Sequence, residues 1–364
     1  MVEKRRHTSL DLLIHPGEIL AEIIAERGYS QKELATRAAV TEKHISSVIN
    51  GKSNITNEFA QKLAIALNSS DTFWINLQAN YDKELFYLKQ SQQISDEEHE
   101  IAREIKKPVA DITGEKFGDK LYDEIIYELR KILGVNNLTA ISHTKLANQG
   151  LYRRQFAKGT SHLVMYTWQY LCEQEVYAQN VAALDLERLK KRLPNIKRIM
   201  FAEPEKIIRL IQEELNSCGV YFTVKKHVEK APINGLTVKT MTDNPLIALT
   251  LRHKFVDIFW FTLFHEIGHI IFGDYLQNDL DEETSKKFEK RANKFAEDTL
   301  INPEIYQKYI SNYEINDQTM AMLAQEAEVL PSIVYSRLMK DKKIPRDQSH
   351  HRARYEWAEK AIPD

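Results

Sequence analysis

Two cysteines in 364 residues, Cys172 and Cys218, rule out a disulfide framework and any cysteine-built metal site at recognisable ligand spacing. No uninterrupted apolar run is long enough to span a bilayer, and the first residues are charged and polar rather than an apolar leader core. A reduced, cytoplasmic chain with no membrane partner is therefore expected. Internal repeats and low-complexity tracts are absent. So is charge of one sign: 50 Lys and Arg against 52 Asp and Glu leave a net charge of −2, which excludes a broadly basic coat. What remains is an ordinary globular composition, 43% hydrophobic, sufficient for the cores of two or three domains.

One pentapeptide stands out against that background. His265-Glu266-Ile267-Gly268-His269 follows a run from Phe255 to Phe264 that only Asp257 and Thr262 interrupt, and Ile270, Ile271 and Phe272 come after it. This predicts a buried helix on which His265 and His269, one turn apart, share a face and can reach one metal ion. Glu266 can then act as the base that takes a proton from a water on that metal. Two core histidines could give the same pattern, so a third ligand decides the matter.

Asp281 to Ile301 reads as a helix with an apolar stripe of Phe288, Ala292, Phe295, Ala296 and Thr299. Glu289 borders that stripe, where a carboxylate is costly unless paired or metal-bound, and is the expected third ligand. Asn293, one turn on, is a candidate to orient a histidine. Glu282, Glu283, Glu297 and Asp298 are rivals of ordinary solvated type. Zinc suits a His-His-Glu set with one open position, although manganese or iron could also occupy it.

The stretch Asn244-Pro-Leu-Ile-Ala-Leu-Thr-Leu-Arg-His253, continued by Asp257 to His269, resembles the ImmA/IrrE family of zinc metallopeptidases. So does Glu289-Lys-Arg-Ala-Asn-Lys-Phe-Ala296 with Asn302-Pro303. The resemblance covers roughly residues 205–340. It implies that Glu289 supplies the third zinc ligand and that substrates are regulatory proteins, a repressor or an antitoxin, cut on a stress or mobile-element signal. Family members often carry an acid where this chain has Arg291. A second electrophile is left open among His253, Arg252 and Tyr275.

The N-terminal end reads differently. Pro16 opens a helix bearing Ile19, Leu20, Ile23 and Ile24 on one face, which stops near Gly28. Ser30 caps Gln31–Ala38, with Glu33 as the expected capping-box partner. After a turn at Ala39 and Val40, Thr41 caps a second helix through Ile49, ending at Asn50-Gly51. Leu34, Ala35, Val40, Ile45 and Val48 are the packing positions of a DNA-binding helix-turn-helix. Glu42, Lys43, His44 and Ser47, with Ser46 also available, would meet base edges; Gln31, Lys52 and Asn54 would lie near phosphates. His15-Pro-Gly-Glu-Ile-Leu20, Ser30-Gln-Lys-Glu-Leu-Ala35 and Asn50-Gly51-Lys52 resemble phage-repressor (XRE) proteins, and more narrowly HigA-type antitoxins. Residues 1–70 hold nine basic against eight acidic side chains, so a double-stranded operator would be bound by a homodimer adding two modest faces. Lys4, Arg5 and Arg6 form a basic arm.

Between these ends a helical region is expected. One helix continues from Asp71 to about Lys107 with an interruption near Ser91–Ser95 and a break at Pro108. Others cover Asp119–Leu133, Thr144–Phe156, Leu163–Glu175 and Asp185–Leu193. The basic run Arg188, Lys190, Lys191, Arg192, Lys197 and Arg198 reads as a solvated helix face. Strands are expected at Gly219–Val224 and Asn244–Leu251, with a hairpin turn at Asn234-Gly235. Met320–Lys340 forms helix, turn, helix, read as packing against the peptidase rather than as a second DNA reader. The fold class is mainly α, closing in an α+β zincin-like domain.

The expected organisation is 1–85 helix-turn-helix, 86–204 helical connection, 205–340 peptidase domain and 341–364 charged tail. Together the parts describe a DNA-binding zinc endopeptidase controlling transcription by cutting a repressor or antitoxin. The alternative is an antitoxin-like repressor whose zinc domain binds a toxin or senses a ligand without proteolysis. Glu266 argues for the former, since a structural zinc site needs no base and prefers four protein ligands.

Overall fold

The computed structural model describes residues 13–143, 161–252, 255–277, 281–345 and 352–355. Packing divides it into two compact units, residues 1–99 with 119–126, and residues 100–118 with 127–364. The expected helix at Thr144–Phe156, His253 and the basic arm at residues 4–6 lie outside the described residues.

The first unit holds α1 (Pro16–Glu26), α2 (Gln31–Arg37), α3 (Glu42–Ile49), α4 (Asn57–Ala66) and α5 (Asp71–Gln92). Its core joins Leu20, Leu34, Ile45, Val48, Phe59, Leu63 and Trp74, all buried. Ser30, Thr41 and Thr56 each cap a helix through their side-chain oxygen. The Ser30 box is only half made, because the Glu33 carboxylate takes Arg37 instead (2.9 Å). The complete box lies one helix earlier: the His15 amide donates to Glu18 Oε1 (3.0 Å), and His15 Nδ1 accepts the Gly17 amide (2.9 Å). A Cβ on Gly17 would stand 1.8 Å from the Val48 carbonyl oxygen, so α1 crosses α3 in backbone contact.

α6 (Asp96–Thr113) follows, and Pro108 lies inside it rather than ending it. Its ring is buried between Ile105 and Val109, and that burial offsets the hydrogen bond a proline cannot make. Then come α7 (Tyr122–Ile132), α8 (Thr139–His143), α9 (His162–Val176), α10 (Leu186–Arg198) and α11 (Pro204–Ser217).

A three-stranded sheet carries the rest: β1 (Tyr221–Lys225), β2 (Gly235–Lys239) and β3 (Pro245–Thr250), in the order β1-β3-β2. β1 runs parallel to β3 with Phe222 opposite Ile247; β2 runs antiparallel to it with Thr237 opposite Ile247. The hairpin turn therefore spans residues 240–244, with Asp243 at φ +68°, and Asn234-Gly235 opens β2 instead. Alternation sends Leu236, Val238, Leu246 and Ala248 against α9, where Met165, Trp168 and Cys172 cover them. Phe222, Val224, Ile247 and Leu249 point the other way, into the core built with α11 and α12 (Val256–Phe272).

The chain continues as α13 (Glu282–Leu300), α14 (Pro303–Asn312), α15 (Asp317–Glu326) and α16 (Pro331–Lys340). α15 and α16 repeat the turn of α2 and α3. Leu323-Ala324-x-x-Ala327-x-Val329 matches Leu34-Ala35-x-x-Ala38-x-Val40; Glu328 and Ala39 both have φ +51°; and each closing valine amide reaches its alanine carbonyl at 2.9 Å. The second helix differs in what it shows. Glu42 and Lys43 are exposed, while Ser332, Ile333 and Tyr335 of α16 are buried against the core. A reading face turned inward cannot enter a groove. Residues 352–355 return to the start of α12, where the Val256 amide meets the Ala353 carbonyl and Trp260 Nε1 donates to the Tyr355 hydroxyl at 2.6 Å.

Candidate metal centre and nucleic-acid interface

α12 is apolar on nearly every side, so it forms the centre of its unit, and its few polar groups must find partners there. His265, Glu266 and His269 are all buried. α13 crosses it closely because Gly268 faces Ala292: a Cβ on Gly268 would sit 3.3 Å from the Ala292 Cα and 3.1 Å from Phe295. That approach brings Glu289 and Asn293 to the histidines.

His265 Nε2 and His269 Nε2 stand 3.0 Å apart, and the two Glu289 oxygens lie 3.5 Å from one ring each. A tetrahedral zinc ion with bonds near 2.0–2.1 Å needs ligand atoms about 3.3 Å apart, so this triangle has the size of a zinc face. The outer ring nitrogens say the same. His265 Nδ1 meets Asn293 Oδ1 (3.1 Å) and His269 Nδ1 meets Asp274 Oδ2 (3.0 Å), both pure acceptors, so each ring's N–H points outward. With both rings neutral, the two Nε2 lone pairs converge on one point, which a metal ion relieves by binding both and a proton relieves on one ring. The donor set fits a metal.

Electrostatics agree with that demand. Burial pushes the His265 pKa down, against the pull of Glu266 and Glu289. Burial acts on His269 too, but the hydrogen bond to Asp274 and then Glu289 overcome it and raise its pKa to about 10. A single positive charge between the rings is what the carboxylates ask for.

Asp274 was not visible as a site residue in the sequence. Gly273 ends α12 at φ +72°, a conformation favouring glycine, and turns the chain so that the fully buried Asp274 folds back onto His269. Arg291 pairs with the other Asp274 oxygen and stacks on Phe272, 4.4 Å from the ring centre. The basic residue at this position is thus the counter-charge of a buried acid. The sequence gives no sign of Thr237 as a site residue either, and Asn234-Gly235 signals only a turn. Thr237 Oγ1 donates to Glu266 Oε2 at 2.6 Å, and a Cβ on Gly235 would meet Glu266 Oε1 at 2.8 Å and Thr262 Cγ2 at 2.5 Å.

The rival acids are engaged elsewhere. Glu282, Glu283 and Asp298 form i,i+4 pairs with Lys286, Lys287 and Lys294, and Glu297 pairs with Arg337 and Lys340. Arg252 donates to the Pro232 carbonyl (3.0 Å), and Tyr275 is buried near Lys239.

In the first unit, Ile45 and Val48 hold α3 against the core, which leaves Glu42 and Lys43 exposed at its start. Lys52 and Asn54 are exposed in the following loop, and Gln31 is half-buried. His44 packs edge-on against Phe59 (4.6 Å between ring centres), and Ser47 Oγ lies 2.7 Å from Ser53 Oγ. Both are half-buried, His44 held by that ring contact and Ser47 with its hydroxyl already hydrogen-bonded. No helix among the described residues is long and apolar enough to cross a membrane.

Residues 20–74 match a family model described as helix-turn-helix, and residues 238–339 match one of a peptidase family described as an IrrE N-terminal-like domain. The chain is 39% identical over 69 residues to virulence-associated protein A' of Dichelobacter nodosus, covering 19% of this chain and 60% of that one. It is 35% identical over 63 residues to the uncharacterized HTH-type transcriptional regulator YddM of Escherichia coli, covering 17% and 67% respectively. Among solved structures, a putative antidote protein of a plasmid maintenance system from Nostoc punctiforme is 36% identical over 22% of this chain and 86% of that one, with a TM-score of 0.20. An addiction module antidote protein of the HigA family from Coxiella burnetii is 32% identical over 26% and 92%, with a TM-score of 0.21. This chain thus belongs to the XRE-type helix-turn-helix family at its N-terminal end and carries, at its C-terminal end, an IrrE N-terminal-like domain of the peptidase family.

Proposed function

We propose that the protein is a DNA-binding, zinc-dependent endopeptidase that regulates transcription by cleaving a repressor or antitoxin. The observation that carries this reading is the convergence of His265 Nε2, His269 Nε2 and Glu289 on one point, with a carboxylate next to the first histidine that ligates nothing. A zinc ion bound there would supply Lewis acidity to a water molecule and to a peptide carbonyl. The chain's own residues supply the remainder. Asn293 and Asp274 lock both imidazoles by their Nδ1 hydrogens, so the ligands are oriented before metal arrives. Glu266 takes the proton of the attacking water and returns it to the leaving amine. Thr237 holds one Glu266 oxygen and leaves the other, Oε1, for that proton; Gly235 keeps the space beside it clear.

The helix-turn-helix unit places this activity at an operator, through Glu42, Lys43, His44 and Ser47 at the groove and Gln31, Lys52 and Asn54 at phosphates, with two copies on a palindromic site. New protein N-termini are mapped in cells expressing the chain and in cells expressing Glu266→Gln, which keeps the ligands and removes the base. Termini in one regulatory protein, present only with the native chain, are expected. Their absence despite bound zinc would leave a repressor of antitoxin type, with the zinc domain as a scaffold or sensor.

A further inference from the structure

Beside the metal centre, one turn earlier on α12 and one turn later on α13, a cavity of about 480 Å³ opens. Its walls include Ile258, Phe261, Leu300, Ile301 and Ile333. Ile258 and Phe261 are only half-buried, although α12 is otherwise the most enclosed helix of its unit, so this part of it faces open space. The cavity borders the site. Asn293 lines it and holds His265 Nδ1, and the Phe261 ring lies 6.2 Å from the His265 ring.

The charged groups in the wall are already ion-paired. Glu297 pairs with Arg337 (3.2 Å) and Lys340; Asp257 takes Ser336 and Arg352 (2.6 Å). The lining's two acids and two bases balance in number, and each is ion-paired, Asp257 through Arg352 just outside the wall, which leaves little net charge to select a charged guest. One polar atom is different. Asn234 Oδ1, also in the lining, is buried and has no hydrogen-bond donor. Asn234 sits where the chain enters β2, the sheet edge whose Thr237 holds Glu266. An apolar cavity next to a lone acceptor suits a peptide: a large apolar side chain in the cavity and a backbone N–H on Asn234.

We infer that this cavity is the specificity pocket of the proposed peptidase, taking a large aliphatic or aromatic side chain next to the scissile bond, with Asn234 accepting a substrate backbone N–H. The inference rests on the metallopeptidase reading. Binding can be tested without turnover, using peptidyl hydroxamates that differ only in the side chain beside the metal-binding group: hydrogen, isobutyl or benzyl. They are titrated by calorimetry into the zinc-loaded full-length chain. The isobutyl and benzyl compounds should bind at least about tenfold more tightly than the hydrogen compound, the range expected for filling an apolar pocket. Ile258→Trp, which fills the cavity, and Ile258→Asp, which charges it, should each bring that gain to within about twofold, with hydrogen-compound affinity and zinc content unchanged. Asn234→Ala should weaken all three compounds by one common factor. A gain that survives both Ile258 variants, or no gain in the native chain, overturns the assignment. Failure of even the hydrogen compound to bind would remove the metallopeptidase reading instead, and the pocket's role with it.

Discussion

Asp274 carries a consequence out of proportion to its place at a helix end. It is fully buried, holds His269 by Nδ1 and is itself held by Arg291. Asp274→Asn keeps the shape and loses the charge, so zinc affinity should fall roughly 10- to 100-fold, read by competition with a chromophoric chelator. Gly235→Ala tests the base without touching a ligand. Its Cβ would push against Glu266 Oε1 and Thr262, so zinc should bind as before while cleavage of the substrate falls about 100-fold. At this scale the pentapeptide was legible, because histidine, glutamate and their spacing are chemistry written directly in the chain. Asp274 and Thr237 were not. One is aimed by a left-handed glycine and the other by strand register, and neither leaves a local pattern. Gly235 was visible but misread: an Asn-Gly pair signals a tight turn, and here the glycine is required for room beside a carboxylate.

Helix packing sets the next level. Gly268 allows α13 to lie close enough for Glu289 to meet both histidines. Gly268→Ala needs its neighbours to yield only a few tenths of an ångström, whereas Gly268→Leu must separate the helices. The leucine variant should lose about 1–3 kcal/mol of stability, measured by denaturant unfolding, and most of its zinc affinity with it. The Ala variant should keep both within modest limits. Helices with capping residues and an apolar stripe were readable in advance, as α1 to α3 and α13 show. Pro108 and Pro194 were harder, because a proline inside a helix is tolerated where burial or position compensates, and that depends on neighbours remote in sequence. The pair α15–α16 teaches a related lesson. Its turn is that of a DNA reader, yet Ser332, Ile333 and Tyr335 are core residues, so the motif describes a bend in the chain and the exposed side chains decide its use.

Across the whole molecule, two compact units meet different demands. Among the described residues, only one contains buried imidazoles and a carboxylate that converge on one point, so a chelator should lower the melting temperature of that unit and leave the helix-turn-helix transition where it was. Zinc at a hundred times its dissociation constant would add about 2.7 kcal/mol to the former, a shift that calorimetry on the full chain resolves. The middle of the chain was the least legible part. α9 buries Trp168 and Met165 against a sheet that begins some fifty residues later, and such a pairing has no local signature. Asn293 belongs to two places at once: its oxygen steadies the His265 imidazole, and its flank forms part of the cavity wall. Thermodynamic reciprocity then applies. Whatever occupant of that cavity steadies Asn293 makes the cation harder to remove, and by the same factor the cation makes the occupant harder to dislodge. Under the proposed function, metal retention and peptide recognition would be, through that one amide, a single equilibrium.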